Sequence, residues 1–323
     1  NLLSNAETLT RLWGFRRDDV LLHALPIFHI HGLFVALHTA MLSGASVLFH
    51  DAFDVAAIRR DLPRTTVMMG VPTFYTRLLS DERFSAEDCR RVRVFISGSA
   101  PLTVETFAAF EARTGHRILE RYGMSEAGMI ASNPLDGARL PGAVGFPLPG
   151  VDIRIVDEDG RPAPTGAPGG VEVRGPNVFA GYGRQPDRTR AEFRDGWFAT
   201  GDVGALDAEG RLSLIGRSKD LIIAGGYNIY PIEIEQVLDA VPGVGESAVV
   251  GAPHPDLGEA VVAVLTAPIT GARASDEAIA AAMERLARFK RPRRVVWVDA
   301  LPRNAMGKVQ KATLRDLVKG SFR

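Results

Sequence analysis

The stretch TVMMGVPTFYTRLLSDERFSAEDCRRVRVFISGSAPL, Thr66 to Leu102, decides the fold. Its outer runs TVMMG and VRVFIS are short and β-rich, and between them TFYTRLL has helical spacing with Pro72 placed for a first helical turn. Strand, helix, strand is the βαβ unit of a mostly parallel sheet. The same alternation extends outward from Val20 to Glu120: VLLHAL and ASVLF read as strands, Asp54 as the N-cap of VAAIRRDL, and Gly115 as the C′ residue after TVETFAAFEART. After Asn133, Gly and Pro recur between the alternating runs VDIRIV, GGVEVRG and GRLSLIGR, which predicts an antiparallel β region. From Arg217 to Asp220 the texture changes again. LIIAGGYNIYP, the helix IEIEQVLDA, the strands SAVVGAP and AVVAVLTAP, the helix DEAIAAAMERLARF and the strand VVWV make about a hundred residues of α+β chain. The expected fold class is α/β: a large domain over 1–218, with a mostly parallel sheet and a β-rich subdomain at 134–216, then a small C-terminal domain over 219–323.

Composition narrows the function. Lys plus Arg and Asp plus Glu each number 38 in 323 residues, so no electrostatic footprint for nucleic acid exists. Val20 to His50 carries no Asp, Glu, Lys or Arg, yet it holds five of the seven histidines and Pro26, which fits a buried strand-helix-strand unit and not a membrane span. The single cysteine, Cys89, forbids an internal disulfide and a cysteine-based zinc site, and places the protein in a reducing cytoplasm. Cys89 has no evident partner base in AEDCRRVR and is not expected to be a nucleophile. The chain begins at Asn1, and a piece of a longer protein is expected.

Gly- and Ser-rich turns follow predicted strands twice, as SGSAPL after VRVFIS and as RYGMSEAG after ILE. In open α/β sheets ligands bind beyond the carboxyl ends of strands, where free N–H groups meet anions. Tyr122 offers a stacking face, Ser125 a hydroxyl for a phosphate and Glu126 a carboxylate for Mg²⁺. WFATGDVG places Asp202 in a tight turn between two predicted strands, where a carboxylate can accept both hydroxyls of a ribose. GRSKDLIIAGGYNIYP puts Arg217 at the domain junction and Gly225–Gly226 where backbone is approached closely, and LPRNAMGKVQK presents Lys308 on a loop. His29 and His31 have metal-pair spacing, but without further ligands they read as structural.

RYGMSEAG, FATGDVG, GRSKDLI and PRNAMGK, in this order, resemble the adenylate-forming acyl-CoA synthetase family. LPIFHIHGLF, GVPTFYTRLL, FISGSAPL, LERYGMSEAG and LPRNAMGKVQK are most similar to its malonyl-CoA synthetases. The resemblance implies a carboxylate attacking the α-phosphate of Mg·ATP, then coenzyme A taking the acyl group and releasing AMP. Carried over, Tyr122 stacks on adenine with Ser99, Ala100 and Gly123 beside it, Ser125 touches the α-phosphate and Glu126 holds Mg²⁺. Asp202 and Arg217 hold the ribose, and Lys308 bridges acid and phosphate in the first step only. The C-terminal domain is expected to rotate about Lys219 and present Gly225–Gly226 to the pantetheine arm of coenzyme A. His29 and Met124 line the acyl pocket. For the unreacting carboxylate of a dicarboxylic acid, Arg77 on its short helix is the first candidate partner and Arg121 the second, since a guanidinium grips a carboxylate through two bonds. Acetylation of Lys308 by a lysine acetyltransferase is expected to remove the charge its role needs. Complete family members carry an N-terminal loop cradling the β- and γ-phosphates; no match to it occurs here, and the chain is expected to be the C-terminal portion of such a ligase. An acyl-CoA synthetase for another short or aromatic acid, and a non-catalytic nucleotide-binding remnant, stay open as alternatives.

Overall fold

The computed structural model describes residues 1–268, 271–304 and 307–322. The chain divides into two units, one of residues 1–200 with 204–214 and one of residues 201–203 with 215–323.

In the first unit, strands β1 (Val20–His23), β2 (Ser46–Phe49), β3 (Val67–Gly70), β4 (Val94–Ser97) and β5 (Leu119–Met124) lie side by side in the order β2-β1-β3-β4-β5, every pair parallel. β3 and β4 are buried throughout, which is why they read as continuous apolar runs. The crossovers carry the expected caps. Asp54 accepts from Ala57 N–H at the start of α3 (Val55–Asp61), Pro72 opens α4 (Pro72–Ser80), and Gly115 ends α5 (Val104–Thr114) at φ 76°. Phe110 of α5 meets Tyr75 of α4 and Phe95 of β4 edge-on, with ring centroids 5.3 and 4.9 Å away, and the Tyr75 hydroxyl donates to Ile96 O at 2.7 Å. That aromatic knot packs both helices against β4. The charge-free segment forms β1, then a helix whose first stretch, His31–Leu37, has π-type pairing before continuing as α-helix over His38–Ser43, and then β2. With α1 taken as Leu2–Leu12, the α-helical part is α2.

Beyond β5 the sheet turns antiparallel. β6 (Gly128–Ser132) and β7 (Ala143–Pro147) follow β5, and β12 (Leu212–Arg217), β11 (Trp197–Leu206), β9 (Gly169–Arg174) and β8 (Asp152–Val156) continue it, with β10 (Phe193–Arg194) on β11. The short α6 (Pro186–Glu192) precedes β10.

The second unit is built on the hairpin of β15 (Glu246–His254) and β16 (Gly258–Thr266), joined by β13 (Ile222–Ala224), β14 (Tyr227–Ile229) and the parallel β17 (Arg294–Val298). Alternation along β16 assigns its two faces. Val261, Ala263 and Leu265 pack on Ile234 and Leu238 of α7 (Pro231–Asp239) and Ile279 and Met283 of α8 (Asp276–Met283). Val262 and Val264 pack on Leu314 and Val318 of α9 (Lys311–Val318). The helix expected over DEAIAAAMERLARF stops at Met283, because Arg291 reaches back to the carbonyls of Leu286 and Glu284 and the following N–H groups bond three residues back. No described helix is long and apolar enough to cross a membrane.

Candidate nucleotide and acyl site

The SGSAPL turn leaves the end of β4, and its glycine is required by a neighbour. A Cβ on Gly98 would stand 2.4 Å from Arg121 Nη1, 2.5 Å from Cζ and 2.8 Å from Nε, so the Arg121 guanidinium occupies the space that the missing side chain leaves. Ser99 is held at φ 72°, a strained backbone for a residue other than glycine, and its Oγ lies 3.2 Å from His31 Nδ1. His31 N–H in turn donates to His29 Nδ1 at 3.4 Å. The turn expected to border the adenine and the histidine segment expected at the acyl pocket are thus joined, with Ala100 half-buried beside Ser99.

Arg121 is 3% exposed, and its Nε and Nη2 have no hydrogen-bond partner. Burial pulls this guanidinium down to about 9. A buried cation without a counter-charge is costly. Arg77, the first candidate, lies in the last turn of α4 and is exposed. Glu120 was not singled out by sequence. It is buried next to Arg121, and desolvation pushes its carboxyl up to about 8 although the N–H groups of Gly142 and Leu102 bond to it.

RYGMSEAG proves to be less of a turn than expected. β5 runs through Met124, so Arg121, Tyr122, Gly123 and Met124 are strand residues paired with β6, and the turn is confined to Ser125, Glu126 and Ala127. Gly123 is needed because a Cβ there would lie 2.3 Å from Gly128 O. Tyr122 is buried, Met124 half-buried and Ser125 exposed. Glu126 is half-buried, and its Oε1 is 3.3 Å from the Tyr182 hydroxyl. The donor suits Mg²⁺, a hard cation that takes carboxylate oxygen. Among the described residues there is no group of three or more His, Cys, Asp or Glu that could hold a metal ion.

In the second unit Asp202 is buried and Arg217 Nε lies 3.0 Å from its Oδ1, so the two residues expected at the ribose are paired. The tight turn expected for Asp202 is absent. Gly201, at φ 71°, lets β11 bend without ending, and Asp202 is a residue of that long strand. Gly225 and Gly226, at φ 59° and 81°, form the two-residue turn between the paired Ala224 and Tyr227. A type I′ hairpin turn of this kind asks for left-handed backbone at both positions. Lys219 lies in the turn Ser218–Asp220, its carbonyl accepting from Arg315 Nη2 at 3.2 Å. Lys308 sits half-buried on a tight turn, with its N–H donating to Asn304 Oδ1 at 3.0 Å and Arg303 bridged to Val309. Ala305 and Met306 of its motif lie outside the described residues. Cys89 is buried and its thiol pushed up to about 12, chiefly by desolvation.

Residues 1–183 match the AMP-binding enzyme family and residues 233–308 match the AMP-binding enzyme C-terminal domain, so the chain belongs to the AMP-binding enzymes. Among solved structures, ATP-bound MatB from Rhodopseudomonas palustris is 51% identical with a TM-score of 0.98, covering 100% of this chain and 65% of that one. A malonate–CoA ligase from Arabidopsis thaliana is 37% identical over 97% of this chain and 56% of its own length. A feruloyl-CoA synthase from Amycolatopsis sp is 37% identical over 92% of this chain and 61% of its own. The chain therefore spans from just over half to just under two thirds of these relatives.

Proposed function

We propose that the protein serves an ATP-dependent acid–CoA ligase, converting a carboxylate, ATP and coenzyme A to acyl-CoA, AMP and pyrophosphate through an acyl-adenylate, with malonate as the acid. The observation that carries the choice of acid is Arg121, buried beside Gly98 with unpartnered N–H groups. Malonate activated at one end keeps a second carboxylate, and once desolvated that group needs a fixed cation. A planar guanidinium supplies two parallel donors to it. An aromatic acid such as ferulate brings no second charge and would leave Arg121 unpaired, so the feruloyl-CoA synthase relative does not shift the reading.

The remaining roles are those that the family resemblance implies. Bringing a carboxylate to a phosphate concentrates negative charge, and Lys308 answers it on the acid side of the bond being made. Mg²⁺, held by Glu126, would neutralise charge on the phosphates. Tyr122, Gly123, Ser99 and Ala100 border the adenine, Ser125 meets the α-phosphate, and Asp202 with Arg217 takes the ribose. His29 and Met124 border the acyl group, Gly225–Gly226 the pantetheine arm, and Lys219 is the hinge. Lys308 is also the residue a lysine acetyltransferase would silence, and a cytoplasmic setting suits the lone, buried Cys89.

The test is Arg121→Met, which keeps length and removes charge, assayed with malonate, butyrate and ferulate. Removing one partner of a desolvated pair costs roughly 2–5 kcal/mol, so kcat/KM for malonate is expected to fall about 30-fold to several thousand-fold while butyrate changes little. Equal losses on all three acids would make Arg121 a structural residue and end the malonate reading.

A further inference from the structure

We propose that Tyr182 is a positioning residue for Glu126, fixing the carboxylate that receives the divalent cation; this rests on Glu126 serving as the cation ligand of the function proposed above. The segment from Asn177 to Tyr182 grips the β5–β6 turn along its length. Asn177 Nδ2 donates to Ala127 O at 2.8 Å and to Met129 O at 3.0 Å, Phe179 N–H donates to Glu126 O at 2.7 Å, and the Tyr182 hydroxyl stands 3.3 Å from Glu126 Oε1.

Tyr182 is itself fixed on every side. Its hydroxyl shares its one proton between Glu192 Oε2 at 2.6 Å and Glu126 Oε1 at 3.3 Å, its N–H donates to Thr189 Oγ1 at 2.9 Å, Arg188 lies over its ring at 3.7 Å, and Phe179 meets the ring edge at 4.8 Å. Arg188 Nε also bonds Glu192 Oε1 at 3.2 Å, which orients the anchoring carboxylate. Gly181 makes the seat possible, because a Cβ there would stand 2.6 Å from Thr189 Cγ2. Thr189, Arg188 and Glu192 all belong to α6, a helix that buries none of its residues. Core packing therefore does not explain why α6 is placed here, whereas holding Tyr182 does. Hydrogen-bond partners of a metal-ligating carboxylate set its direction, and losing one typically lowers metal affinity by about 10–100-fold.

The experiment compares the wild type with Tyr182→Phe, which keeps the ring and removes only the hydroxyl. Mn²⁺·ATP binding is followed by water-proton relaxation, metal-free AMP binding by calorimetry, and stability by thermal unfolding. The expected result is a roughly tenfold weaker Kd for Mn²⁺·ATP, with AMP affinity and the unfolding midpoint unchanged. In a Glu126→Gln background the Tyr182→Phe effect is expected to vanish, and Glu192→Gln, which loosens the anchor, is expected to weaken Mn²⁺·ATP about threefold should Tyr182→Phe not fold. A Glu126→Gln variant that loses cation affinity while Tyr182→Phe and Glu192→Gln do not would overturn this proposal alone. Unchanged cation affinity in Glu126→Gln would overturn both it and the reading of Glu126.

Discussion

Gly98→Ala tests the acyl site by adding a single methyl. The new Cβ would arrive 2.4 Å from Arg121 Nη1 and 2.5 Å from Cζ, where ordinary contact begins at 3.4 Å, so the guanidinium must withdraw by about 1 Å. Gly98 is not among the glycines with positive φ, and alanine is tolerated by the backbone itself. The cost falls on Arg121, which at 3% exposure has little room to move. A 1 Å misplacement of a bidentate donor forfeits much of a pair worth roughly 2–5 kcal/mol, and at about 1.4 kcal/mol per decade a loss near 100-fold in kcat/KM is expected for malonate. Butyrate has no distal charge and should lose less than about threefold, with AMP affinity within about twofold. Steady-state kinetics on both acids and AMP calorimetry decide it. The double variant Gly98→Ala/Arg121→Met is informative as well, since neighbours acting through one contact are non-additive and the second change should then cost little. Equal losses on malonate and butyrate, or full additivity in the double variant, would refute the placement of Arg121 against the acid.

Two further outcomes are expected. Lys308→Ala should slow acyl-adenylate formation by about 10²–10³ while leaving thioester formation from synthetic malonyl-AMP within a few-fold, as read by single-turnover assays of each half-reaction; equal damage to both halves would remove Lys308 from the first step. Glu120, with its folded value at about 8, keeps its proton in the native state while the unfolded chain releases it near 4.5, so stability should fall as pH rises between those values, by at most about 1.4 kcal/mol per pH unit. His23, buried and pulled down to about 4, acts in the opposite sense up to pH 6.5, so the comparison belongs between pH 6.5 and 8. Glu120→Gln should flatten that slope in urea unfolding, and a slope parallel to the wild type would show that Glu120 does not hold its proton there.

The parallel half of the sheet was legible because its signals are local. Asp54, Pro72 and Gly115 mark helix ends by chemistry that acts within a few residues, and β3 and β4 are unbroken apolar runs. What escaped depends on neighbours distant in sequence. Gly123 looks like turn chemistry, yet it is a strand residue whose missing side chain admits Gly128 O across the ladder. Asp202 follows a glycine that bends β11 without ending it. Between two candidate arginines, no local pattern reports that Arg77 is exposed while Arg121 is buried against Gly98, because the contact joins the turn after β4 to the interior of β5. Tyr182 meets Glu126 only once α6 is folded, and nothing near either residue announces the pairing.

The inertness of Cys89 has a practical side. It is the sole cysteine, it is buried, and a thiol at about 12 offers almost no thiolate to an alkylating reagent near neutral pH. A cysteine introduced on the surface of either unit would be the one that a maleimide finds. Probe pairs placed on 1–200 and 215–323 would report, molecule by molecule, whether nucleotide, acid and thiol each draw the two units into a different arrangement in solution.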